Sequence, residues 1–138
     1  MDVVFLVGRI LIVALPIMSG ATFHFQQAAV DAARGSGAPA PEITVPLSGI
    51  VMVVGGISVV LGILGDVGAL LVIAALLPIT FFQHAFWTDE DPQAKQLNQV
   101  MFWKNLAMIG GLLTVFWIFN QTQGEAPLTI TDPLFSSW

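Results

Sequence analysis

The chain has no cysteine and no tyrosine, and only four of its 138 residues are lysine or arginine. The first absence excludes disulfides, thiolate zinc sites and cysteine-ligated iron–sulfur clusters. The second leaves any redox or proton chemistry to His, Trp, Arg, Lys or the carboxylates. The third, with Arg9, Arg34, Lys95 and Lys104 the whole of the basic set, leaves no basic patch for phosphates and argues against nucleic-acid partners. It argues equally against recruitment by anionic lipid. Charged residues of both signs make up 9% of the chain, against about 25% in soluble domains. So little charge cannot cover a water-facing surface. What fills the space instead is 56% hydrophobic residues, with a mean hydropathy of +0.85. The composition is that of an integral membrane protein embedded in a lipid bilayer.

Four apolar segments are long enough to span, at about 3–25, 47–64, 67–87 and 101–119, given the roughly 20 helical residues a bilayer core needs. The expected fold is all-α, a four-transmembrane-helix bundle forming one domain over residues 1–138, with a tail from 120 to 138. The second and third segments are separated only by Gly65-Asp66, so they form a tight hairpin, with Gly65 as the expected C-cap and Asp66 near the next N-terminus. Asp2 stands where a signal peptide would be basic, and Arg9 interrupts the first apolar run, so that segment reads as retained. Helix one is expected to continue through the Ala-rich stretch to Arg34, until Gly35-Ser36-Gly37-Ala38-Pro39 ends it. Helix four is expected to start early, with Asp91 as N-cap and Pro92 in the first helical position. Both extensions project on the side away from the hairpin, forming a polar rim. The tail, ending Leu134-Phe135-Ser136-Ser137-Trp138, is too short to span; it suits the interface or a neighbouring subunit.

The ends of helices one and three and the start of helix four meet at that rim. They offer His24, Gln83, His84, Lys104 and Asn105 among Phe23, Phe25, Phe86, Trp87 and Trp103. Thr80, His84 and Trp87 fall on one face by their i, i+4, i+7 spacing. Polar groups where hydrocarbon begins are costly unless partnered. Two readings stand side by side: an interfacial belt that satisfies loop backbone, or a small-molecule or proton site, with His bonding a quinone carbonyl or shuttling its proton. No spacing demands haem or a metal, and no metal site is assigned. Arg9, Pro16, Gly20 and His24 share another helical face. Arg9 either snorkels to the near interface or marks the far end of a polar path; it lies about 22 Å from His24 at 1.5 Å per residue and cannot share its site.

The run Phe81-Phe82-Gln83-His84-Ala85-Phe86-Trp87, followed by Lys104-Asn105-Leu106-Ala107 and Gly110-Gly111, resembles the DoxX family of small bacterial membrane proteins. Gly8-Arg9-Ile10-Leu11, Ser19-Gly20, Val54-Gly55-Gly56 and Leu61-Gly62-Ile63-Leu64-Gly65 are similar to the family in the same order. Asp66 departs from the pattern, as does the C-terminal tail. The resemblance implies a bacterial cytoplasmic-membrane protein, akin to the membrane subunit of a thiosulfate:quinone oxidoreductase or to partners of soluble redox enzymes. Carried over by position, it singles out Arg9, His84, Lys104 and Asn105. The expected function is a membrane subunit of a redox complex, not catalytic alone, that anchors partner subunits or self-associates and offers a quinone-facing pocket of His84, Trp87, Lys104 and Asn105, with Arg9 and His24 as further candidates. The alternative is an accessory subunit of a respiratory or photosynthetic assembly without chemistry of its own; a small transporter is a third. No complete catalytic set is present, so no residue is assigned a catalytic role. Orientation stays open: positive residues favour a cytoplasmic rim, the resemblance cytoplasmic termini.

Overall fold

The computed structural model describes residues 2–122 and 125–135, so the expectation placed on Trp138 lies outside the described residues. Five α-helices account for most of them: α1 (Asp2–Thr22), α2 (Gln27–Gly35), α3 (Pro41–Leu61), α4 (Gly65–Pro78) and α5 (Pro92–Gln121). Four helical segments are long and apolar enough to cross a membrane, with α4 and the turns after it, Gly65–Thr88, counted as one. The protein is an all-helical, multi-pass membrane protein. Round the bundle the order is α1, α3, α4, α5, with the lightest contact between α5 and α1. The main core joins Val13, Val59, Val72, Leu112 and Phe119 from all four spans.

Helix α1 buries one stripe, Arg9, Val13, Pro16 and Gly20, and His24 beyond it is also buried. The 3.6-residue period therefore places these side chains inward as read from the sequence. The helix does not continue to Arg34, however. It tightens into a 3-10 turn over Phe23–Phe25, and Gln26 is extended. His24 stabilises the break, since its ring Nδ1 lies 2.9 Å from the Ser19 carbonyl, one of the orphan acceptors at a helix end. Helix α2 then packs Val30 and Ala33 on Val45 of α3. Arg34 pins it there, bonding Asp31 at 2.7 Å and also Glu42 of α3. Bonding to Glu42 first and Asp31 second raises the Arg34 pKa above its ordinary value.

Helix α3 begins at Pro41, six residues before the expected start at Leu47. Pro46 falls inside the second turn of this helix, where a proline removes only the bond to the carbonyl four residues back. The hairpin is displaced too. Gly62, not Gly65, caps α3, in the left-handed region at φ +64°. Ser58 Oγ donates to the Ile63 carbonyl at 2.5 Å and the Leu64 carbonyl at 3.1 Å. Gly65 instead opens α4, and a side chain there would run into the Phe119 ring. The tail folds back over this hairpin rather than reaching outward: the Ile130 and Thr131 amides donate to the Gly62 carbonyl at 3.2 and 3.1 Å.

Helix α4 ends at Pro78, where the missing N–H and Thr80, whose hydroxyl donates to the Leu76 carbonyl at 2.6 Å, open a π-helical turn over Ile79–Gln83. The regular helix expected through 87 is thus replaced by this turn and a 3-10 turn at Phe86–Thr88. Asp91 caps α5 as expected, accepting from the Ala94 amide at 2.8 Å, and α5 runs 30 residues, about 45 Å at 1.5 Å per residue. Asp91→Ala should cost about 1 kcal/mol, read as a lower unfolding midpoint in detergent; an unchanged midpoint would mean the long helix does not depend on its cap.

Candidate functional site

The break after α1 and the π turn after α4 bring their side chains to the start of the apolar part of α5. Between them lies a cavity of about 500 Å³ whose walls include His24, Gln83, His84, Lys104 and Asn105 together with the apolar Leu15, Pro16, Met52, Leu76 and Met108. Ala28 and Ala29 of α2 close one side. The volume falls within the roughly 300–1,000 Å³ of small-molecule sites, and the mix of an apolar wall with a few polar groups is typical of them.

Four of the six singled-out residues therefore meet. Trp87 does not line the cavity; it is 53% exposed and lies edge-on to Phe102 at 5.6 Å between ring centroids. The π turn is the reason, because it breaks the i, i+4, i+7 register that would align Thr80, His84 and Trp87. Phe102 also meets Phe81, Phe86 and Trp103 at 5.5 Å each, so this aromatic cluster braces the turn that carries His84. Arg9 also lies outside the cavity. It is fully buried, which rules out snorkelling, and its Nη2 donates to the Leu128 and Pro127 carbonyls at 2.7 and 3.3 Å. Its guanidinium sits 4.9 Å from the Phe5 ring centroid and 5.8 Å from that of Phe119. Arg9 holds the tail.

The two imidazoles share one arrangement. His84 Nδ1 lies 3.2 Å from Asn98 Oδ1, while Asn98 Nδ2 donates to Asp89 Oδ2 at 2.9 Å. Because the Asn98 amide nitrogen is engaged with Asp89, its oxygen faces His84, and Nδ1–H donates to it. His24 Nδ1 likewise faces an obligate acceptor, the Ser19 carbonyl. In the neutral ring this fixes the tautomer and leaves Nε2 as the acceptor on both histidines. Asn98 and Asp89 were not legible as partners of His84; their approach depends on the π turn and on where α5 begins. Lys104 Nζ contacts the Met101 sulfur at 3.3 Å. Asn105 is 3% exposed.

Among the described residues no group of three or more His, Cys, Asp or Glu is placed to hold a metal. No curated protein and no solved structure matches the chain. The DoxX family model matches residues 4–85, more than half the sequence and including Arg9, His24 and His84. That match ends before Lys104 and Asn105, which the structure nonetheless brings to the same cavity as His84. On the strength of the matched span, the chain belongs to the DoxX family.

Proposed function

We propose that the chain is a membrane subunit of a quinone-linked redox complex in the bacterial cytoplasmic membrane, not catalytic alone, whose cavity receives the quinone head group. One observation carries this: two imidazoles, each with Nδ1 engaged and Nε2 left as acceptor, share a cavity with the donors Lys104, Asn105 and Gln83. A quinol has hydroxyls to give to Nε2, and a quinone has carbonyls to accept from Lys104 and Asn105. Oxidising the quinol releases two electrons to a redox centre on a partner subunit and two protons. Nε2 of His84 takes one of these and Nε2 of His24 the other, and the Asp89–Asn98 pair orients the His84 ring meanwhile.

The test is quinone extraction from protein purified at native expression level, together with electron transfer in the parent complex. Quinone should co-purify, and His84→Ala should lower its retention about tenfold, the equivalent of one hydrogen bond of roughly 1–1.5 kcal/mol. If no quinone co-purifies and His84→Ala leaves electron transfer unchanged, the chain is a structural accessory subunit instead.

A further inference from the structure

We propose that this cavity also takes an amphiphilic anion, a long-chain carboxylate, with its head group on Lys104. The inference rests on the cavity being a ligand site and not on the ligand being a quinone.

The chain carries nine acidic residues and a net charge of −5, yet no Asp or Glu lines this cavity. Among the described residues Lys104 is the one Lys or Arg of its wall. An ammonium has three donors, and a thioether is a weak acceptor, so the Met101 sulfur at 3.3 Å leaves Lys104 poorly satisfied. Arg34 has two carboxylates, and Arg9, which lies outside the cavity, bonds two carbonyls through Nη2 and leaves Nε and Nη1 without a partner among the described residues. A cation held at the edge of hydrocarbon without a counter-charge is costly. A ligand that brings one negative charge removes that cost; a neutral ligand does not. Gln83 and Asn105 add amide donors beside it, and neither makes a side-chain hydrogen bond to a described residue.

The apolar wall points to the other half of the ligand. Met18, Met52, Met101 and Met108 all line this cavity, and they are every methionine of the chain apart from Met1. Unbranched thioether side chains adapt to a flexible partner better than branched ones do. A wall of them suits an alkyl chain that has no fixed shape. One cation matches one charge, which favours a carboxylate over a phosphate.

The test is equilibrium binding of radiolabelled palmitate to the full chain in nanodiscs, with hexadecanol and lysophosphatidate as competitors and quinone content measured in the same samples. Palmitate should bind at least tenfold more tightly than hexadecanol, as a charge-assisted hydrogen bond of about 1.5–3 kcal/mol requires. Lys104→Met should erase that preference while leaving hexadecanol binding in place, and Lys104→Arg should retain it. Retained hexadecanol binding shows that the Met variant still folds. Equal binding of acid and alcohol would overturn the proposal, as would lysophosphatidate outcompeting palmitate, which would name a lipid phosphate as the anion. Quinone retained with no acid preference overturns this inference and leaves the quinone reading standing. Palmitate binding without quinone does the reverse.

Discussion

Replacing Arg9 with methionine should release the C-terminal tail from the hairpin and leave the bundle folded. Amide exchange at Ile130, Thr131 and Phe135 should speed up by about tenfold to a hundredfold, since hydrogen bonds from a charged donor contribute about 1.5–3 kcal/mol. The tail is held by Arg9 Nη2 on two carbonyls, by Gly62 accepting two amides, by Thr131 Oγ1 accepting from the Leu64 amide at 2.8 Å, and by Asp66 Oδ2 accepting from the Phe135 amide at 2.9 Å. Among the hydrogen bonds of the described residues, those of Arg9 are the ones that tie α1 to this set. Global stability is a separate question, because two effects oppose. Arg9 Nε and Nη1 have no partner among the described residues, so removing the guanidinium relieves a desolvation cost. Methionine also fills much of the same volume between Phe5 and Phe119. What is lost is the pairing of two carbonyls, and a lifted tail returns those to water. The unfolding midpoint should therefore move little while the tail loosens. Arg9→Lys keeps the charge but not the planar contact with the two rings, so it should fall between. Unchanged exchange at all three amides in Arg9→Met would mean the tail is held by the Gly62, Leu64 and Asp66 contacts alone.

What the sequence makes legible and what it hides follow one line. The four spans stand out because hydrocarbon tolerates almost no charge, and the inward stripe of α1 because helical period is fixed. Asp91 is legible because capping depends on only a few neighbouring residues. Each departure occurs where a local signal is outweighed by a non-local contact. Gly65 reads as a cap, but Phe119, more than fifty residues on, fills the space beside it and Gly62 makes the turn. Trp87 keeps helical spacing to His84 on paper, and the π turn after Pro78 destroys it. Arg9 shares a stripe with His24, but the tail that claims it has no periodicity to announce its path. The cavity lies in between: its polar members are visible as costly residues at three helix ends, whereas Asn98, the α2 wall and the methionine lining appear only once the helices are placed.

Adding one methyl group at Gly49 should damage the cavity. A Cβ there would lie 2.5 Å from His24 Cβ and 2.8 Å from the Gly20 carbonyl. The carbonyl belongs to α1 and cannot yield without moving the helix, so α1 and α3 must part or the His24 turn must shift. The first carries His24 away from the α3 and α5 walls of the cavity, and the second moves it relative to the Ser19 carbonyl that fixes its tautomer. Gly110 is the matched control, because a Cβ there meets nothing within 4 Å. For Gly49→Ala the overpacking cost of about 1–3 kcal/mol outweighs the helix-propensity gain of about 0.5–1 kcal/mol that Gly110→Ala should show undiluted. The two variants should therefore move the unfolding midpoint in detergent in opposite directions. Retained quinone should drop by about tenfold in Gly49→Ala alone, because a binding group displaced by a few tenths of an ångström loses a hydrogen bond of roughly 1–1.5 kcal/mol. Stabilisation by both variants would show that α1 and α3 are not in contact at Gly20 and Gly49. A destabilised Gly49→Ala that keeps its quinone would take His24 out of the site and leave the head group to His84, Lys104 and Asn105.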